Sequence, residues 1–155
     1  NNHVARYEVV ANAAGGTALD NAYHQLWNPG PDQIYLVEVF GVFQGGGGTN
    51  VKVALKRSTA RGTQTATALG NALDDNDATS QGTLDSAFSA QPTLSGNYLW
   101  RIRKESQQSG AFIIDAMTIW GTPGLLIPSG AGLCIVVADG GGTNDGLDAH
   151  FAWDE

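Results

Sequence analysis

Apolar and polar residues alternate along short stretches of this chain, with the period of two expected of β-strands buried on one face. Residues 4–11 place Tyr7, Val9 and Ala11 on one side of an extended strand and Arg6 and Glu8 on the other. In residues 18–27, Leu19, Tyr23 and Trp27 share one register, and Asp20 and His24 take the opposite one. Asn28-Pro29-Gly30-Pro31 ends that stretch, because proline has no ladder donor and glycine permits a sharp turn. Residues 34–43 are apolar on both faces except at Glu38 and Gly41. That pattern predicts a central strand, or one covered by a neighbouring subunit. Four glycines, 45–48, then lead into the alternating Val51-Lys52-Val53-Ala54-Leu55-Lys56, so the two segments are expected to pair as a hairpin with a Gly-rich tip.

From residue 58 to 93 the alternation dissolves into Thr, Ala, Ser, Gln, Asn and Asp. A long loop or arm is expected there, with at most one or two helical turns over 66–73. Pattern returns at 98–104, where Trp100 and Ile102 face inward and Arg101 and Arg103 outward. Residues 111–120 form a strongly apolar strand expected to bend near Asp115. After the turn Gly121-Thr122-Pro123-Gly124 comes the broken stretch 125–132, then a Val- and Ile-rich strand over 133–138. A Gly-rich turn over 139–146 precedes a last strand, in which Leu147, Ala149, Phe151 and Trp153 alternate with Asp148, His150 and Asp154. These eight or nine short strands, with no long helical period, predict two packed antiparallel sheets. About eight strands with one long crossing connection predict a jelly-roll β-sandwich occupying residues 1–155 as a single domain.

Composition narrows the function classes. Only 15% of the 155 residues are charged, so solubility rests on Asn, Gln, Ser, Thr and Gly, as in a turn-rich β protein or one covered by neighbours. The one cysteine, Cys134, excludes an internal disulfide and a multi-cysteine zinc site, and its place in an apolar strand predicts an inert core or back-face thiol. No apolar run approaches the ~18 residues of a membrane span, and no signal peptide is visible. The net charge of −7 makes a phosphate backbone a poor partner. Of the eight basic residues, all but Arg6 fall in two blocks, Lys52, Lys56, Arg57 and Arg61, then Arg101, Arg103 and Lys104. If these blocks share a face, Lys52, Lys56, Arg57, Arg101 and Arg103 form a positive patch that docks on an acidic surface, either another protein or a sister copy.

Catalytic and metal motifs fare poorly. Ile127-Pro128-Ser129-Gly130 lacks the first glycine of a nucleophile elbow, and the four glycines are followed by Thr49-Asn50-Val51 rather than a phosphate-reaching lysine. Asp74-Asp75-Asn76-Asp77 concentrates oxygen ligands, but as an EF-hand loop begun at Asp75 it has Ser80 at the turn glycine and Ser86 at the bidentate glutamate. It reads as a solvated acidic loop. His3, His24 and His150 are distant in sequence and read as partly exposed strand residues. Trp27, Trp100, Trp120 and Trp153 share register with apolar neighbours and read as core or subunit contact rather than a sugar-stacking platform. No catalytic residue, metal or cofactor is expected.

The C-terminal third, with Gly124-Leu125-Leu126-Ile127-Pro128-Ser129-Gly130-Ala131-Gly132-Leu133, a strand through Ala138, a Gly-rich turn and the closing Phe151-Ala152-Trp153-Asp154-Glu155, resembles small jelly-roll decoration (cement) proteins of tailed bacteriophages. The resemblance implies a non-enzymatic structural protein, assembled in the host cytoplasm, that binds the outside of a capsid, commonly as a trimer. Its partners would be the major capsid protein shell and sister copies. The alternative is a carbohydrate-binding or receptor-binding sandwich, such as a fibre tip. A single-jelly-roll capsid protein is less compatible, because the N-terminal residues carry only Arg6 against Glu8 where a basic arm is needed.

Overall fold

A computed structural model describes residues 3–15, 18–44, 50–105, 110–138 and 146–155. In chain order these form β1 (Arg6–Ala13), β2 (Ala22–Asn28), β3 (Ile34–Gln44), β4 (Asn50–Ala60), β5 (Thr63–Leu69), β6 (Asn71–Ala72), β7 (Thr83–Ala90), β8 (Thr93–Glu105), β9 (Ala111–Asp115), α1 (Ala116–Trp120), β10 (Leu125–Ile127), β11 (Ala131–Val137) and β12 (Gly146–Asp154). The chain is all-β, as expected, and its strands make two antiparallel sheets packed face to face. The first sheet has the order β10-β3-β12-β1-β6, with β9 also pairing with β3. The second has the order β5-β7-β2-β11-β4-β8. Between them lies one apolar core that includes Leu26, Ile34, Leu36, Val39, Phe43, Val53, Leu55, Ile114, Leu133, Ile135, Phe151 and Trp153.

Among the described residues, no two strands consecutive in the chain pair with each other. The hairpin expected from residues 34–43 and 51–56 is therefore absent: β3 is central in the first sheet, and β4 lies in the second between β11 and β8. A half-apolar strand can satisfy its neighbour edge to edge or face to face, and alternation alone does not distinguish the two. The connection at 45–49 lies outside the described residues, as does the Gly-rich turn at 139–145. The strands on either side of it, β11 and β12, likewise lie in opposite sheets.

The long loop expected over 58–93 is corrected. Residues 58–60 finish β4, β5 pairs with β7 in antiparallel register, and β6 pairs with β1, so no helix forms at 66–73. Most β5 side chains are exposed, because it is the edge strand of its sheet, and an edge strand open on both faces has no apolar alternation. Its remaining signal is β-branched Thr at positions 63, 65 and 67, which suits a pleated edge. The expected bend near Asp115 is a change of element. The Asp115 carboxylate caps α1, accepting from the Thr118 amide (3.1 Å) and hydroxyl (2.8 Å). Those bonds hold its pKa below the ordinary carboxylate value.

The core requires glycine at position 41. Gly41 pairs with Phe112 across β3 and β9, and a Cβ there would meet the Phe112 ring at 2.4 Å. The ring is itself held by Phe43 and Trp100, with centroids 5.9 and 5.5 Å away. Gly41→Ala is expected to cost about 1–3 kcal/mol by overpacking, read as a lower urea midpoint at unchanged m-value.

Candidate interaction surfaces

The two basic blocks do meet. β4 and β8 are neighbours, with Lys52 opposite Arg103 and Ala54 opposite Arg101. Val53 and Leu55 enter the core, with Trp100 and Ile102 packed against it, which leaves Lys52, Lys56 and Arg101 on the outer face. The Arg103 side chain lies outside the described residues. Tyr98 organises this patch: its hydroxyl donates to Asp20 Oδ1 (2.9 Å), and Lys56 Nζ and the Arg101 guanidinium lie 5.2 and 6.0 Å from its ring centroid. Burial, then the neighbouring Asp20, raises the Tyr98 pKa. Lys56 Nζ is also 3.8 Å from Asp20 Oδ2.

Arg57 does not belong to the patch. The pairing of β4 with β8 shifts between Leu55 and Arg57, and the Arg57 guanidinium donates instead to the Leu126 carbonyl of β10 in the opposite sheet (2.8 Å). It ties the sheets together. Alternation along β4 itself puts Arg57 in the inward register of Val53 and Leu55, opposite to Lys52 and Lys56.

The outer face of the first sheet carries a feature that sequence reasoning missed. Register aligns Val10, His150, Phe40 and Ile113 in one row across β1, β12, β3 and β9. Val10, Phe40 and Ile113 are 63%, 38% and 58% exposed, high values for large apolar side chains lying in line. Val42 widens the row, and with Val10, Phe40, Asp148 and His150 it lines a depression of about 350 Å³. The next row is Glu8, Ala152, Glu38 and Asp115, so an acidic ladder borders the apolar one. His150 Nε2 lies 3.7 Å from Glu8 Oε2 across the two rows. The signal was present as the outward residues of four strands, but it becomes a surface only once their order and register are known.

Other polar groups form closed structural networks. Asn28 Nδ2 donates to the carbonyls of Asp32 and Ile127, while its Oδ1 accepts from the Gly30 amide and from Gln81 Nε2. The Glu155 carboxylate accepts from the amides of Gln81 and Gly82 and from Trp153 Nε1. Cys134 is buried and its thiol pKa is pushed up to about 12 by desolvation, so it stays protonated at neutral pH. Trp27 and Trp153 are buried, and Trp100 and Trp120 pack against the core. His24 departs from its expected partial exposure: it is fully buried between the sheets, beside the Phe151 ring. Compared with models of known protein families, with curated proteins and with solved structures, the chain matches none.

Proposed function

We propose that this sandwich is a jelly roll acting as a non-enzymatic structural protein, a decoration protein that attaches to the outside of a phage capsid as a homotrimer. The apolar row Val10-His150-Phe40-Ile113 carries the reading, because a solvent-facing sheet row of large apolar side chains is stabilised by contact with another surface. The jelly-roll reading is supported by strand order: β1, β2, β3 and β4 alternate between sheets, as do β10, β11 and β12. The opposed acidic ladder and basic Tyr98 patch supply the charge pattern that sets orientation between copies or against a shell. Assembly would take place in the host cytoplasm.

The test is solution mass by light scattering together with co-sedimentation with phage heads lacking the protein. The expected mass is three times the 16.2 kDa of the chain, with pelleting only when heads are present. Phe40→Asp with Ile113→Lys is expected to abolish pelleting while shifting stability by less than about 0.5 kcal/mol, since both positions are on the surface. A monomer that stays in the supernatant with every head tested overturns the reading. So does a Phe40→Asp, Ile113→Lys protein that pellets like the parent.

A further inference from the structure

The residue before β1 is tied to Glu155, and the first residues of β1 are bonded to the 73–78 turn. Ala5 exchanges amide-to-carbonyl bonds with Glu155 (3.2 and 2.9 Å), the Leu73 amide donates to the Arg6 carbonyl (3.0 Å), and the Tyr7 hydroxyl donates to the Ala78 carbonyl (2.6 Å). This docking brings an imidazole to the acidic turn. His3 Nε2 lies 2.7 Å from Asp77 Oδ1, and one ligand atom from each of His3, Asp74 and Asp77 falls within 4.8 Å of the others.

The turn is fixed before any ligand arrives. The Asp77 amide donates to the Asp74 carbonyl (2.9 Å), and Asp74 Oδ1 accepts from the Asn76 amide and Nδ2 (3.0 Å each), which lowers the Asp74 pKa. The Asp77 side chain is only 10% exposed and also lines a surface cleft of about 400 Å³ beside Tyr7 and Asn71. An acidic turn alone would offer only hard oxygen ligands. The entry of His3, more than seventy residues away in sequence, changes the chemistry of the set.

We propose that His3, Asp74 and Asp77 form a binding site for a borderline divalent cation of the Zn²⁺ class. One imidazole nitrogen and two carboxylate oxygens make a three-ligand set of the kind zinc accepts, with water free to complete a tetrahedron. Ca²⁺ and Mg²⁺ take all-oxygen shells and gain nothing from imidazole, so they bind more weakly here. Bond lengths of about 2.0–2.2 Å put ligand atoms of a tetrahedral ion roughly 3.3–3.6 Å apart. Binding therefore requires the His3–Asp77 hydrogen bond, at 2.7 Å, to open by roughly 0.6–0.9 Å and Asp74 to draw in. The bound ion would clamp the segment before β1 to the turn between β6 and β7.

Titration of the metal-free protein with ZnCl₂ by calorimetry tests the site, together with the visible absorption of the Co²⁺ form. The expected result is one Zn²⁺ per chain, a tetrahedral Co²⁺ spectrum, and at least tenfold weaker binding in both His3→Ala and Asp77→Asn. Asp75→Asn removes the same charge from the same turn but lies outside the ligand set, so it should leave affinity within twofold. Zn²⁺ should raise the melting temperature of the parent and not that of His3→Ala, which also shows that the variant folds. The proposal fails if Asp75→Asn weakens binding as much as Asp77→Asn, if His3→Ala binds like the parent, or if equimolar Ca²⁺ displaces Zn²⁺.

Discussion

Arg61→Ala should cost this protein about 3 kcal/mol, measured as urea unfolding at pH 7. The reason is Asp85, whose side chain is wholly buried at the back of the second sheet. Its carboxylate receives a two-pronged contact from Arg61, Nε to Oδ2 and Nη2 to Oδ1 at 2.9 Å each, and hydroxyl donations from Thr67 (3.1 Å) and Thr83 (3.2 Å). Gln25 extends the network, accepting from Ser58 (2.6 Å) and Cys134 (3.4 Å) and donating to the Arg61 carbonyl (2.9 Å). Without the guanidinium, a buried anion loses its only charged donor among the described residues. Breaking such a pair costs about 3–5 kcal/mol, and the lower end applies because the Arg61 side chain is 31% exposed and water can enter.

Two companion variants separate the causes. Arg61→Lys keeps the charge but not the fork and should fall midway. Arg61→Ala combined with Asp85→Asn should recover part of the loss, since the stranded charge is gone. A cost for Arg61→Ala below about 1 kcal/mol would mean that hydroxyl donors and water suffice for Asp85.

Acidification from pH 6.5 to pH 4 should remove about 3 kcal/mol of stability through His24 alone. His24 Nε2 donates to the Ala11 carbonyl (2.8 Å), while Nδ1 is buried with no partner among the described residues. Desolvation lowers the pKa from 6.5 to about 4, against a smaller opposing effect of the Ala11 carbonyl. Between those two values the unfolded chain binds a proton that the folded one refuses. Stability therefore rises with pH across this window, is fully present above about 6.5, and is lost as pH falls towards 4. A shift of this size corresponds to ~3 kcal/mol at 1.36 kcal/mol per unit. Carboxylates add their own slope at the acid end, so the diagnostic range is pH 5 to 6.5. There His24→Gln, which has no titrating group, should unfold with a nearly flat pH dependence. An equal slope in parent and variant would place the proton acceptor elsewhere.

These two residues mark the limit of what the sequence makes legible. Strands with one buried apolar face, such as Val53 and Leu55 in β4 or Leu147, Ala149 and Phe151 in β12, are plain in the alternation, and with them the all-β class and the two sheets. Asp85 and His24 are buried by neighbours distant in the chain, and nothing in their local sequence separates a buried polar residue from a solvated one. The same holds for the pairing of strands. Lys52, Lys56 and Arg101 share a face because β4 and β8 are adjacent, whereas Arg57 has the inward parity of Val53 and Leu55, which the alternation alone made legible. The row on the first sheet needed four registers at once, and the convergence of His3 with Asp74 and Asp77 needed the docking of one segment on another.

The position of β12 has a consequence for biosynthesis. It is made after the other eleven described strands, yet it fills the gap between β1 and β3, two of the first three to be made. Until it arrives, the nascent chain holds two bare ladder edges and an uncovered oily layer, with no local hairpin among the described strands to close them. Folding is thus a late, concerted event governed by long-range closure, and sequestration of the growing polypeptide matters most until β12 has emerged.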